Sequence, residues 1–418
     1  MQKLVIVGGK KLNGTIQVSG SKNATLPILA ASLLNKNKVT IENIPLVKDV
    51  ETMINLLSLL GSKIKLIRRK KKIEILNNNK LNTFAPYKLV KTMRAGILVL
   101  GPLLARHNKA KVSLPGGCAI GSRPVDIHLE ALKKLGANFK IRDGYIHANT
   151  KGGLVGNKIT FPKISVGATE NTMIAACLAK GKTTLSNCAC EPEVKDLSLF
   201  LTKMGCNIKW IGKRKIRING VKNLKSSAYK VMFDRIEATT YMIASAVTNG
   251  QIKIKNVIPG VVKNEILKMK KMGIIFKINK YEIKVRNSKN LKRIIIKTSP
   301  FPGFPTDLQA QVMVLMSKAK GISKIKETIF ENRFMHVSEL NRMGAKIKIK
   351  GNQAFIQGEK KFNGAEVMAT DLRASVSLVL AALSANSKTT INRIYHLDRG
   401  YENIEKKLSK CGAQIKRV

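Results

Sequence analysis

Apolar and polar positions along the chain follow one pattern that recurs six times. A stretch rich in Ala, Ser, Leu and Ile, apolar on nearly all sides, stops at a polar residue or glycine and gives way to a strand rich in Thr, Val and Ile. The copies span 26–44, 97–114, 173–185, 241–257, 312–329 and 377–394. A helix that is apolar all round belongs inside a domain rather than on its surface. A second phrase follows each copy: an apolar residue, two or three others, an apolar residue or Cys, then Gly and a strand. It reads Leu57-Ser58-Leu59-Leu60-Gly61 in the first unit and Leu408-Ser409-Lys410-Cys411-Gly412 in the last. Between them its glycines are Gly136, Gly205, Gly273 and Gly344, and successive positions differ by 75, 69, 68, 71 and 68. This predicts helix ends with Gly in the left-handed cap, each followed by an alternating strand such as Asn138-Phe139-Lys140-Ile141. Six units of about 70 residues are long for a solenoid repeat and suit two domains of three units. The expected architecture is α/β, with buried helices surrounded by sheets; a solenoid is the competing one.

Composition narrows the classes. Of 418 residues, 44% are hydrophobic and 24% charged, which is globular usage. The formal charge of +51 invites a basic nucleic-acid-binding protein. Yet the 59 lysines left after 17 Arg are taken from 76 basic residues are dispersed. They alternate with Ile, as in Lys346-Ile347-Lys348-Ile349-Lys350, which is the outer face of half-buried strands. Aromatics are only 5%, thin material for base stacking. Lys, Ile and Asn abundance fits AT-rich codon usage, so no nucleic-acid partner is expected. The longest apolar run, 95–105, holds a Gly-Pro and is too short to span a bilayer, so no membrane insertion is expected. The first residues lead into a strand rather than a signal peptide, and the six cysteines form no C-x-x-C pair. Both point to a reduced, cytoplasmic protein. His107, His128, His147, His336 and His396 lack ligand spacing, and no Walker or G-x-G-x-x-G loop occurs; neither a metal nor a cofactor is expected.

Unusual residues gather in the loops between units. Leu114-Pro115-Gly116-Gly117-Cys118-Ala119-Ile120-Gly121-Ser122-Arg123-Pro124-Val125-Asp126 places one thiol on a Gly-rich loop five residues from an arginine. A nearby guanidinium favours thiolate and can hold phosphate or carboxylate. The other loops are Gly20-Ser21-Lys22-Asn23-Ala24, Thr92-Met93-Arg94-Ala95, Lys163-Ile164-Ser165-Val166-Gly167-Ala168-Thr169, Phe233-Asp234-Arg235-Ile236-Glu237, Pro302-Gly303-Phe304-Pro305-Thr306-Asp307 and Thr370-Asp371-Leu372-Arg373. Arg333 and Arg399 fall in loops after the corresponding strands. Taken singly, each charge is a cap, turn or ion pair; Asp307, for instance, is a favoured type to cap a helix beginning near Leu308. Taken together they are Arg beside Asp or Gly at equivalent points of successive repeats. A cation gains nothing from the dipole at a helix start unless an anion sits there too. Two facing domains would line a cleft with Lys22, Arg94, Arg123, Arg333, Arg373 and Arg399, suited to several phosphates or carboxylates.

These segments, with Ser19-Gly20-Ser21-Lys22-Asn23, Phe304-Pro305-Thr306-Asp307 and Thr370-Asp371-Leu372-Arg373-Ala374, resemble the enolpyruvyl transferases over essentially the whole chain. The resemblance implies two inside-out α/β-barrel-like domains of three repeated units each. The first is 22–232, carrying the Cys118 loop; the second is 1–21 with 233–418. The cysteine loop implies the branch that joins the enolpyruvyl group of phosphoenolpyruvate to the 3-hydroxyl of UDP-N-acetylglucosamine, releasing phosphate, at the first committed step of peptidoglycan synthesis. The sister branch, which makes 5-enolpyruvylshikimate 3-phosphate, shares the fold and lacks that loop. The high positive charge departs from the family's usual near-neutral or acidic balance.

By the same resemblance, Lys22, Arg94, Arg123 and Arg399 hold phosphoenolpyruvate, with Asn23 beside them. Arg123, Pro124, Val125, Asp126 and Ile127, together with Lys163, Ile164, Ser165 and Val166, contact uridine and diphosphate. Asp307 and Ile329 complete the sugar-nucleotide site, and Arg333, Asp371 and Arg373 are further candidates for binding substrate. Cys118 fits the donor of a proton to the methylene carbon, Asp307 a base or orienter for the hydroxyl, and the cations, Lys22 among them, stabilise the charged intermediate.

A thiol so placed should react with a small epoxide phosphonate such as fosfomycin, preferentially when UDP-N-acetylglucosamine is present. Mass spectrometry should find one adduct, on the peptide carrying Cys118; adducts spread evenly over several cysteines would contradict an activated thiol.

Overall fold

The computed structural model describes residues 2–116, 125–286, 290–358 and 361–418. It divides into two compact units. The first comprises described residues of 20–232, and the second those of 2–19 with 233–418.

Six four-stranded sheets are present, three in each unit, and all share one topology. Each has a parallel pair at one edge and two antiparallel pairings beyond it. In one, Glu366–Met368 runs parallel to Lys388–Asn392, which is antiparallel to Leu4–Val7, itself antiparallel to Gln414–Arg417. The repeats in the sequence are therefore repeats in space. All six phrase-ending glycines take positive φ, between 92° and 103°, the left-handed turn that stops each helix and starts the strand.

The sheets face outward and the small-residue helices lie within. Arg235–Val247, Gln309–Met316 and Leu372–Leu383 are buried along their whole length in the second unit. In the first unit, Lys22–Ser32 is buried from Ala24 onward and Val166–Ala176 from Ala168 onward. Leu100–His107 completes the first unit's trio, with Leu100 to Leu104 buried. Their hydroxyls do not oppose burial, because many bond a carbonyl of the preceding turn. Thr25 donates to Ser21 O at 2.7 Å, Thr169 to Ser165 O at 2.7 Å and Thr240 to Ile236 O at 2.8 Å. Amphipathic helices such as Lys48–Leu59 and Pro192–Lys203 cover the outside of this core.

Lysines do line the outer strand faces, though exposed apolar residues such as Ile141, Ile275 and Ile322 share them. Ile349, in the edge strand Lys346–Lys350, is 48% exposed because only one strand flanks it. Two glycines at equivalent points, Gly220 after strand Lys215–Asn219 and Gly358 after strand Gln353–Gln357, allow close backbone crossings. A Cβ there would lie 1.7 Å from Ala179 O and 1.6 Å from Ala319 O. Gly220→Ala and Gly358→Ala should each destabilise the fold by about 1–3 kcal/mol through forced backbone displacement, read as a lower denaturation midpoint.

Candidate active site

The buried helices present their first turns at the ends of the core, and those turns carry the charged residues. Four are capped alike. Ser21 and Ser165 accept from Ala24 N–H and Ala168 N–H, each at 3.3 Å. Asp234 accepts from Ile236 and Glu237, both at 2.9 Å, and Asp371 from Arg373 and Ala374 at 2.8 and 3.1 Å.

In the first unit, Lys22 opens its helix and pairs with Asp49 at 3.3 Å, both side chains largely enclosed. Arg94 opens a short 3-10 segment, Arg94–Val99, that runs into Leu100–His107. Val125 is buried at the cap of Asp126–Lys134, where Asp126 is exposed and Ile127 half-buried. Lys163 and Val166 are exposed, and Ile164 and Ser165 half-buried, at the start of Val166–Ala176.

His128 gathers three of these helix starts. A Cβ on Gly167 would lie 3.1 Å from its ring, and Asn171 Nδ2 approaches its Nδ1 at 3.2 Å. Asn171 Oδ1 accepts the Gly101 N–H at 2.8 Å, so the amide nitrogen faces the imidazole. Nδ1 is then the acceptor and Nε2 carries the proton. Burial, reinforced by the Arg94 charge, pushes His128 down to about 4.

In the second unit, Asp307 stands in a 3-10 turn, Thr306–Leu308, ahead of Gln309–Met316. Pro305 and Leu308, not Asp307, stand at the two N-cap positions. The Asp307 carboxylate is instead bridged by two buried guanidiniums: Arg333 Nη2 reaches Oδ1 at 3.0 Å and Arg373 Nη2 reaches Oδ2 at 3.0 Å. Arg373 also donates to Tyr401 Oη at 3.3 Å and lies over that ring. Tyr401 Oη meets Thr240 Oγ1 at 2.9 Å and Gln311 Nε2 at 3.3 Å, so one hydroxyl joins all three core helices. Gln311 Nε2 in turn donates to the Asp307 carbonyl at 2.8 Å. His336, buried beside this group, is pushed down to about 4 by burial and Arg333, against the pull of Asp371.

The structure thus brings Asp307, Arg333 and Arg373 into direct contact, with Asp371 capping the helix that carries Arg373. Ile329 is half-buried after strand Ile322–Lys326. Arg399 caps the C-terminus of the short helix Tyr395–Asp398, a more ordered place than the loop expected for it. Asn23 sits half-buried beside Lys22. Cys118, Arg123 and Pro124 lie outside the described residues. Sequence reasoning missed Asp49, His128, Gln311 and Tyr401, whose roles depend on partners far along the chain. Among the described residues, no group of three or more His, Cys, Asp or Glu side chains is arranged to hold a metal ion. No helix among them is long and apolar enough to cross a membrane.

Charged first turns on wholly buried helices, inside repeated four-stranded sheets, define an enolpyruvyl-transferase architecture. The chain belongs to the family described as EPSP synthase (3-phosphoshikimate 1-carboxyvinyltransferase), whose model matches residues 6–408. Within it, the chain is 65% identical over 418 residues, 100% of both proteins, to the UDP-N-acetylglucosamine 1-carboxyvinyltransferase of Pelagibacter ubique (strain HTCC1062). It is 54% identical over 421 residues, again 100% of both, to the protein of that name from Rickettsia prowazekii (strain Madrid E). Among solved structures, the enolpyruvyl transferase NikO from Streptomyces tendae matches with a TM-score of 0.89 at 22% identity, covering 100% of this chain and 99% of that one. EPSP synthase from Acinetobacter baumannii matches with a TM-score of 0.77 at 18% identity, covering 100% of each. Both share the fold.

The His128 environment predicts a pH signature. Its folded value of about 4 lies below the ordinary 6.5, so the unfolded chain binds the extra proton first. Stability from this site is complete above pH 6.5 and is lost as pH falls toward 4. His128→Gln should remove that component, on the order of 3 kcal/mol across the window. Chemical denaturation of both proteins at pH 7.5 and pH 4.5 checks it; parallel losses in the two would contradict it.

Proposed function

We propose that this protein transfers the enolpyruvyl group of phosphoenolpyruvate to the 3-hydroxyl of UDP-N-acetylglucosamine and releases phosphate, in the cytoplasm, at the entry to peptidoglycan synthesis. The observation that carries this reading is 65% identity along the whole length of a relative bearing that name. The cysteine loop points the same way, against a shikimate-pathway acceptor.

The reaction runs by addition and elimination. The sugar hydroxyl oxygen bonds to the central carbon of phosphoenolpyruvate while a proton is added to its methylene carbon. Phosphate and carboxylate then share one tetrahedral carbon. Breaking the carbon–phosphate oxygen bond expels phosphate, and loss of a methyl proton restores the double bond. Cys118 supplies the proton in the first step. Asp307 accepts the hydroxyl hydrogen, its carboxylate held in place between Arg333 and Arg373. Lys22, Arg94, Arg123 and Arg399 hold phosphoenolpyruvate beside Asn23 and offset the charge that builds on the intermediate. Arg123 to Ile127 and Lys163 to Val166 hold the uridine and diphosphate, with Ile329 against the sugar nucleotide. Arg333, Asp371 and Arg373 support the sugar side by fixing Asp307.

Phosphate release should depend on UDP-N-acetylglucosamine and not occur with shikimate 3-phosphate. In the same assay, Asp307→Asn should cut turnover by about a hundredfold or more, because an amide cannot take the proton. It should retain UDP-N-acetylglucosamine binding. Loss of the anion between two buried guanidiniums should also cost about 3 kcal/mol of stability, so rates are compared well below the variant's melting temperature. Normal turnover in Asp307→Asn would leave the reaction without its base.

A further inference from the structure

Asp307 and Ile329 stand on separate loops of the second unit, and one buried carboxylate bonds to both loops. Glu327, only 2% exposed, follows strand Ile322–Lys326. Its Oε2 accepts the Thr306 hydroxyl at 2.9 Å, one residue before Asp307. Its Oε1 accepts the N–H of Ile329 at 2.7 Å and of Phe330 at 3.3 Å, together with the Thr298 hydroxyl at 2.8 Å. Thr298 is tied back to the same turn. Its Oγ1 accepts the Thr328 N–H at 2.9 Å, and its carbonyl accepts the Thr328 hydroxyl at 2.6 Å.

All four donors to Glu327 are neutral, and a buried carboxylate is tolerable only when its lone pairs are used in this way. The loop leading to Thr306 is closed on itself, Ser299 N–H reaching Phe304 O at 3.0 Å and Gly303 N–H reaching Pro300 O at 2.9 Å. A loop so closed transmits the position of Thr306 to Asp307 with little slack. On the other side, the Ile329 peptide bonds directly to the carboxylate.

We propose that Glu327 is a positioning residue that sets the spacing between Asp307 and Ile329, and thereby the fit of the acceptor sugar nucleotide rather than of phosphoenolpyruvate. The inference rests on the acceptor reading given above. Glutamine at this position keeps the shape but replaces the charged acceptor with a neutral amide, which weakens the bonds to both loops.

Steady-state kinetics with each substrate varied in turn test the assignment. Glu327→Gln should raise KM for UDP-N-acetylglucosamine and lower kcat, each by about tenfold, while KM for phosphoenolpyruvate stays within about twofold. Thr306→Val should move the same parameters in the same direction, and Thr306→Ser, which restores the hydroxyl, should return them toward wild type. The double variant Glu327→Gln/Thr306→Val should fall short of the sum of the two single effects, since both act on one connection. Variants that only melt earlier, with wild-type KM and kcat below their melting temperature, would reduce Glu327 to a structural role. Equal shifts in both KM values would overturn the selectivity for the acceptor. If Glu327→Gln does not fold, the Thr306 pair decides the matter alone. Wild-type protein that releases no phosphate with UDP-N-acetylglucosamine would instead overturn the acceptor reading itself.

Discussion

A helix buried on every side can meet ligands only at its ends, and that constraint organises the molecule. Backbone N–H groups of a first turn have no partner within their own helix, so a buried start needs caps supplied from the side. Ser21, Ser165, Asp234 and Asp371 provide them at equivalent repeats. The positive end of the dipole and the cations beside it then face the same way, which makes such an end attractive to anions. In the second unit the Tyr401 hydroxyl fixes three of these helices against one another, and the Asp307–Arg333–Arg373 group is built on that frame. Site and core are therefore one construction.

The charge is divided by depth. Among the described residues no lysine is buried, while three arginines are: Arg235, Arg333 and Arg373. Ten acidic residues are buried as well: Asp49, Glu170, Glu193, Asp196, Asp234, Glu237, Glu265, Glu327, Glu402 and Glu405. They come from a total of 25, so much of the chain's acid lies inside, where Asp234 caps a helix and Glu327 receives hydrogen bonds. The surface is correspondingly more cationic than the formal charge suggests. Lysine, strongly hydrated, stays outside, whereas the planar guanidinium tolerates enclosure beside a carboxylate. This division explains how a strongly basic composition coexists with a site in which two buried arginines share the Asp307 carboxylate.

Much of the fold was legible in the sequence because its signals are local and repeated. A glycine after an apolar helix end, or a run of small apolar residues, means the same thing in each of six units. Charged first turns could be found the same way, from Arg beside Asp or Gly at matching places. Partners could not. Tyr401 meets Thr240 across 161 positions and Lys407 meets Glu237 across 170. Nothing in the composition around Asp49 marks it as the partner of Lys22, and His128 looked like one of five scattered histidines. Asp307 illustrates the limit: its residue type allowed both cap and carboxylate roles, and only the positions of Arg333 and Arg373 distinguish them.

The sheet that joins Leu4–Val7 to Gln414–Arg417 has a consequence for the order of folding. Ribosomes deliver residues in order, and Leu4 pairs with Ile391 and Arg417, which are translated long after it. Residues 20–232 hold all three sheets of their own unit and can close while the rest is still being made. Leu4–Val7 must wait with its edges unsatisfied until the two strands that flank it leave the exit tunnel. The second unit is thus a clasp that shuts only after residues 414–417 have been made, and a product cut short before residue 414 leaves Leu4–Val7 without one of its two neighbours.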